Sequence, residues 1–201
     1  MAAIMTALYF HALRPEDRVA VKPHASPVFH AIQYLFGHQS REKLENFRGY
    51  KGAQSYPSRT KDTDDVDFST GSVGLGVAQT LFSSLVQDYV TAHGWMKDRP
   101  EGRMIALVGD AEMDEGNIFE ALLEGWKHGL RNTWWVVDYN RQSLDAVVRG
   151  HPQDAQHVRP IRDEDRVIEV VGAQQGADGA DRFERRPAVL VHQDRLVRHA
   201  M

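Results

Sequence analysis

The sequence has no cysteine among its 201 residues, which removes disulfides, zinc–thiolate sites and thiol nucleophiles from consideration. It has no large excess of either charge. A formal net charge of −4 argues against nucleic acid and against an anionic membrane as partner. Long apolar runs are missing too, and the start, MAAIMTALYFHALRPEDR, lacks the basic opening and small-residue cleavage site of a secretory leader. These absences lead us to expect a soluble, cytoplasmic protein. At 42% hydrophobic residues the chain has enough apolar material to bury a core.

Helical spacing of Ile4, Met5, Leu8, Tyr9 and Ala12 predicts a helix over 2–13, and Val19-Ala20-Val21 a short strand. In HASPVFHAIQYLFG, Ser26 is placed as N-cap and Pro27 as first helical residue. Val28, Ile32, Leu35 and Phe36 would be the buried stripe and Gly37 the stop. A short helix follows near 41–47, with Ser40 as its cap. The stretch RGYKGAQSYPSRTKDTDDVDFSTG has no period, and a loop that long is uncommon unless it serves a function or is disordered. It leads into GSVGLG and a long helix with Val77, Ala78, Leu81, Phe82, Leu85 and Tyr89 on its inner face, closed by Gly94. Met104–Val108 and Thr133–Tyr139 (TWWVVDY) read as strands. Between them, residues 117–128 read as a helix with Ile118, Leu122 and Trp126 inward.

Strands that are apolar throughout belong to a parallel sheet covered on both faces, so the fold class is α/β, a parallel sheet flanked by helices. In such sheets ligands bind beyond the carboxyl ends of the strands. Two polar segments stand at such ends: LVGDAEMDEGN, with Asp110, Glu112, Asp114 and Glu115 crowded together, and DYNRQSLD. A calcium loop starting at Asp110 fails, because its sixth and twelfth positions hold Glu115 and Ala121 where glycine and a bidentate glutamate are needed. A Walker-type phosphate loop fails for want of Gly-Lys-Ser/Thr. Asn140 follows Asp110 by thirty residues, about one strand–helix–strand crossover, so a carboxylate and a carboxamide could share one crevice. Asp110, Asn140 and a carbonyl near Gln142 would form a partial oxygen shell for magnesium carrying a diphosphate.

Gly-Asp followed about thirty residues later by such an asparagine is the signature of thiamine diphosphate enzymes. GDAEMDEGNIFEALLEGWKHGLRNTWWVVDYNRQSLDAVV resembles their transketolase-like branch, in particular the homodimeric pyruvate dehydrogenase decarboxylating component and its transketolase-like relatives. KPHASP, AQSYPSR and STGSVGLG extend the resemblance over residues 1 to about 148. The resemblance implies thiamine diphosphate and Mg2+ as cofactors. Asp110 and Asn140 would bind the metal by their side chains and Gln142 by its main-chain carbonyl. Gly109, Ala111 and Glu112 would line the diphosphate, with Ala111 in place of the family's commoner glycine. Ser72, Val73, Gly74 and Leu75 would lie near the cofactor rings, and His24 is the catalytic candidate facing cofactor and substrate. The plainer roles stay open beside these: a strand-end cap for Asp110, a loop histidine for His24, turn glycines at 71, 74 and 76, and a solvated helix start for the remaining acids. His128, Trp134 and Trp135 read as packing or surface residues.

The resemblance further implies 2-keto acid decarboxylation with acyl transfer, or ketose-phosphate transfer as the alternative, on a small-molecule substrate. Full-length relatives would be homodimers whose second domain supplies an activating glutamate. We therefore expect residues 1–149 to be a partial thiamine diphosphate-binding domain, inactive alone, or else a non-catalytic truncated fragment. Residues 150–201 form an atypical tail: from Gly150 onward Lys, Ser, Thr, Asn, Tyr and Trp are all missing. A shifted reading frame in GC-rich DNA would account for that and leave a tail of poor order; the alternative is a divergent but real tail, with RVIEVVG as the next strand and PAVLVH as another segment able to form one.

Overall fold

A computed structural model of the chain describes residues 1–139, and residues 188–193 as backbone only. Four strands make one sheet in the order β1 (Arg18–Ala20), β2 (Met104–Gly109), β3 (Thr133–Tyr139) and β4 (Ala188–Gln193), every neighbouring pair parallel. The α/β class holds. The register sets Gly109 opposite Asp138, so β2 and β3 end level and deliver their following residues to the same edge. β4 coincides with most of PAVLVH and lies beside β3, with Trp134 opposite Ala188. RVIEVVG lies outside the described residues.

All six residues of β2 are buried, and the pleat explains why. Ile105 and Leu107 point into one apolar cluster with Met5, Leu8, Val19, Val21, Phe29 and Ile32. Ala106 and Val108 point into the other, with Val77, Leu81, Ile118, Ala121 and Trp135. The first cluster is closed by α1 (Ala2–Ala7), which continues as one π-helical turn over Leu8–Ala12, and by α2 (Ser26–Leu35). The second is closed by α4 (Leu75–Ala92) and α5 (Gly116–Lys127). A shorter α3 (Arg41–Glu45) starts as expected, with Ser40 Oγ accepting the Lys43 amide at 3.2 Å.

Several helices turn a different face inward than apolar spacing suggests. A 3-10 turn, Pro23–Ala25, runs straight into α2, so Ala25 stands at the cap position and Ser26 is a buried first-turn residue with no capping bond. The buried face of α2 is Ser26, Phe29, His30, Ile32 and Gln33. Leu35 is 68% exposed and Phe36 lies past the end. Gly37 does close the helix, at φ +81° with its amide on the Tyr34 carbonyl. On α4 the inner face is Val77, Thr80, Leu81, Ser84 and Gln87, whereas Phe82 and Tyr89 are exposed. On α5 it is Ile118, Ala121 and Gly125, and Trp126 is 80% exposed. Small residues win these places because the helices lie close. A Cβ on Gly125 would fall 2.7 Å from Leu81 Cδ1, and one on Gly76 would fall 3.2 Å from Ala20 Cβ. The acidic segment, read as a loop, is a 3-10 helix over Asp110–Asp114.

A crevice at the strand ends

The crevice opens at the carboxyl ends of β1 and β2. Ala20, Val21, Lys22 and Pro23 line one side, Leu107 and Glu112 the floor and far side, and Thr70, Ser72, Gly74, Gly76 and Val77 the third wall. Thr70, the last threonine before the glycine loop, donates its hydroxyl to the Val21 carbonyl at 2.7 Å and ties the loop to the end of β1. Gly74 has φ +76°, a left-handed conformation that suits glycine, and there the chain turns into α4. The loop is held from the other side by Asn117, whose Nδ2 donates to the Val73 carbonyl at 3.3 Å. The eighteen-residue α4 thus aims its amino-terminal end, the positive end of its dipole, at the crevice.

Glu112 folds back over the strand end, its Oε2 accepting the Gly109 amide at 3.1 Å. This is the carboxylate half of a capping box; glycine has no side chain to supply the other half. Burial raises the Glu112 pKa, while the Gly109 amide and the nearby charges of Lys22 and His24 pull the other way. Lys22 Nζ lies 3.4 Å from Asp138 Oδ2 at the end of β3, and the Met1 ammonium lies 3.5 Å from Asp138 Oδ1. The same Nζ would be 3.0 Å from a Cβ on Gly109, so a side chain at 109 would press on the lysine. Asp110 is buried, and its Oδ1 accepts the Ala111 amide at 3.0 Å.

A glycine loop and an acidic strand end thus meet at one edge of a parallel sheet. Residues 14–181 match the family model described as transketolase, thiamine diphosphate binding domain. The chain belongs to that family. The match extends past Val148, where the resemblance seen in the sequence stops. The chain is 33% identical over 150 residues to the pyruvate dehydrogenase E1 component of Pseudomonas aeruginosa, covering 72% of this chain and 17% of that protein. It is 33% identical over 140 residues to the Mycobacterium tuberculosis protein of the same name, covering 67% of this chain and 15% of the relative. The chain therefore spans about a sixth of the length of these curated relatives. Among solved structures, transketolase from Campylobacter jejuni superposes with a TM-score of 0.61 at 28% identity, over 72% of this chain and 24% of that one. Transketolase from Leishmania mexicana gives 0.63 at 21% identity, over 72% of this chain and 24% of that one, a likeness of fold alone.

Within this thiamine diphosphate-binding domain, the structure gathers most of the candidate residues at one edge. Ser72, Gly74 and Glu112 line the crevice, Gly109 ends β2, and Asp110 and Ala111 open the 3-10 helix that carries Glu112. Val73 is exposed beside the crevice and Leu75 begins α4. His24 is exposed on the turn after Lys22, near enough for its charge to act on Glu112. Asn140 and Gln142 lie outside the described residues; Tyr139, immediately before Asn140, ends β3 level with Asp110. Three contributors escaped the reading of the sequence: Lys22, Asp138 and Asn117. Lys22 adjoins His24 within KPHASP, and Asp138 is the lone acid in an otherwise apolar strand, so each carried a local signal.

Among the described residues, His30, Asp62 and Asp64 bring ligand-type atoms within 4.8 Å of one another. The atoms are already engaged. His30 Nδ1 meets Asp64 Oδ2 at 2.5 Å, and Asp62 accepts the Gln54 and Ser58 amides at 3.1 and 2.8 Å. This group mixes a ring nitrogen with carboxylates and lies on α2 and the long loop, whereas Asp110 offers a buried hard oxygen at the crevice, the donor type magnesium prefers. Among the described residues, no helix is long and apolar enough to cross a membrane.

Proposed function

We propose that the chain is the thiamine diphosphate- and magnesium-binding portion of a pyruvate dehydrogenase-like enzyme that decarboxylates a 2-keto acid and transfers the acyl group. The observation that carries this reading is that the glycine loop, through Ser72, Gly74 and Gly76, shares one crevice with Glu112 of the acidic strand end. The crevice lining carries groups of the kinds an anionic heterocyclic cofactor needs. Lys22 and the amino-terminal end of α4 suit a diphosphate, and Val21, Val77 and Leu107 give an apolar wall for a ring. A cradle without side-chain bulk is built in at Gly74 and Gly109, where a Cβ would meet Asn117 and Lys22.

In this reading Ser72, Val73, Gly74 and Leu75 flank the rings, and Gly109, Ala111 and Glu112 border the diphosphate. The side chains of Asp110 and Asn140, with the Gln142 carbonyl, hold Mg2+. Bound thiamine diphosphate supplies a nucleophilic carbon and an electron sink for breaking a carbon–carbon bond. His24, exposed at the mouth, offers an imidazole as the proton-carrying side chain of the reaction. Glu112, its pKa raised by burial, holds its proton more tightly than an exposed carboxyl and sits beside the Gly109 amide. The keto-acid side is favoured by the curated relatives, each named pyruvate dehydrogenase E1 component. Ketose-phosphate transfer is the second reading, favoured by the likeness to transketolase structures. Either activity would belong to a longer, homodimeric assembly, and we expect no turnover from these 201 residues alone.

Titration calorimetry with thiamine diphosphate, with and without Mg2+, tests the binding claim. The expected result is saturable binding that needs the metal and is lost in Asp110→Ala. A folded chain, verified by circular dichroism, that gives no binding heat under either condition refutes it. Measurable decarboxylation by the purified chain would refute the expectation of inactivity.

A further inference from the structure

We propose that His30 is a positioning residue: a fully buried imidazolium, clamped between a carboxylate and a carbonyl, that fixes the long segment 48–71 so that its end presents the glycine loop to the crevice. The mechanical part stands on hydrogen bonds alone; its consequence for cofactor rests on the reading of the crevice given above.

His30 and Asp64 side chains are both wholly buried. His30 Nδ1 lies 2.5 Å from Asp64 Oδ2, and Nε2 lies 2.7 Å from the Gln54 carbonyl oxygen. Both partners are acceptors. A neutral imidazole carries one N–H and one bare lone pair, so with an ionised Asp64 one of these contacts would set lone pair against lone pair. Protonation at both nitrogens satisfies both contacts and balances the Asp64 charge. The second oxygen of Asp64 accepts from Gln39 Nε2, which fixes the carboxylate in turn. Burial by itself lowers the His30 pKa, but the hydrogen bonds to Asp64 and Gln54 and the charges of Asp64 and Asp62 carry it above the ordinary value. The charged groups facing the ring are those two aspartates, both from the segment. Phe29 on its own helix and Phe47 beyond α3 face it with rings, at centroid distances of 5.4 and 6.0 Å.

The pin matters because the segment has no ladder of its own. Its described residues contain no helix or strand between Glu45 and Leu75. Beside scattered turn bonds such as Ala53 amide to Lys43 carbonyl and Thr70 amide to Pro57 carbonyl, side chains set its path. Asp62 accepts the amides of Gln54 and Ser58, His30 takes Gln54 and Asp64, Asp67 accepts the Val19 amide, and Thr70 reaches Val21. His30 is the point where this chain of bonds is fastened to α2. When it loses its proton, one of its two bonds to the segment goes, so the register of Ser72 and Gly74 against Lys22 loosens.

Long-range nitrogen–proton correlation spectra of the histidine-labelled 201-residue chain test the charge state directly. At pH about 6.5, the ordinary imidazole value at which an unperturbed ring is half charged, both His30 nitrogens should appear protonated. A bare His30 nitrogen at that pH overturns the proposal whether or not any variant folds. Trypsin tests the pin. In His30→Gln, which keeps a donor but no charge, cleavage after Lys51, Arg59 and Lys61 relative to cleavage after Arg131 should rise about tenfold, the signature of a local opening. The wild-type ratio should rise as pH climbs above the ordinary imidazole range and through the raised His30 value, and the variant ratio should stay flat. An unchanged ratio, or equal acceleration at all four sites, overturns it. Thiamine diphosphate with Mg2+ should bind His30→Gln about tenfold more weakly, equivalent to about 1.4 kcal/mol. If wild type itself binds no cofactor, the function reading falls while the spectroscopic and proteolytic arms still judge the pin.

Discussion

Gly74 and Asn117 approach so closely that a Cβ on the glycine would lie 2.3 Å from Asn117 Oδ1. The contact joins the loop before α4 to the first turn of α5, and it coincides with a left-handed backbone at Gly74. Gly74→Ala therefore meets two penalties at once, a backbone cost of about 1–2 kcal/mol and displacement of the asparagine. Denaturant unfolding should show a loss of about 2 kcal/mol, and Asn117→Ala in the same chain should recover only the steric part. A neutral Gly74→Ala would show that the turn is not left-handed.

Asp17 is a buried carboxylate holding β1 to the start of β2. It accepts the Arg103 amide at 2.8 Å, the Arg103 Nε at 2.9 Å, a further bond from Arg103 Nη2, and the Arg14 amide at 2.9 Å. Burial alone would raise its pKa; the bonds led by the Arg103 guanidinium outweigh burial and lower it. A lowered carboxylate pKa adds stability that is present above the unfolded value of about 3.9 and is lost as pH falls through the folded value. Asp17→Asn should cost about 3 kcal/mol at pH 7 by leaving Arg103 uncompensated. It should also flatten the acid limb of a melting-temperature profile below pH about 4. An unaltered acid limb would remove Asp17 as its source.

Asp67 has the opposite sign. Burial raises its pKa to about 6, despite the bond from the Val19 amide and the charge of Arg18. The folded chain then binds a proton that the unfolded chain releases, so stability declines as pH climbs from about 4 to about 6. Asp67→Asn keeps an oxygen for Val19 and discards the charge. It should stabilise the chain by about 1 kcal/mol at pH 7.5, after discounting for partial exposure, and leave stability unchanged at pH 4. Destabilisation at both pH values would mean that the Arg18 contact outweighs desolvation.

Lys22 and Asp138 pair across the ends of β1 and β3 with side chains only 10% and 5% exposed. Removing the lysine leaves the buried carboxylate only the Met1 ammonium, 3.5 Å from Oδ1, among the cations described. Lys22→Met should cost about 3 kcal/mol, and adding Asp138→Leu should restore much of it, because a buried pair replaced whole by apolar groups is often near neutral. Chemical denaturation of the three variants completes the cycle. Additive losses would show that the two residues do not interact.

Much of the fold was legible along the chain. The termini of β2 and β3 follow from runs too apolar for a solvated face, and their parallel pairing from the helix-length stretch between them. Gly37 and Ser40 end and begin their helices through local geometry that no distant contact has to supply. The candidate residues from Ser72 to Glu112 likewise meet because strand ends and crossover lengths bring them to one edge. Helix rotation was not legible. His30, Thr80, Ser84 and Gln87 are polar yet buried, while Phe82, Tyr89 and Trp126 are apolar yet exposed.

The reason is that periodicity records what a residue is, whereas burial depends on what stands opposite. His30 can be inside because Asp64, thirty-four residues away, waits there with a carboxylate. Gln87 is inside because its amide answers both backbone groups of Gly102. Thr80 satisfies its hydroxyl on the Gly76 and Val77 carbonyls of its own helix and leaves little bulk against the sheet. Class, strand limits and the edge where the candidate residues collect were therefore determined by the sequence itself, through local pattern and chain length. Which face each helix turns inward, and which acids sit beside which cations, was decided only when tertiary packing supplied the partners that make a buried polar group tolerable.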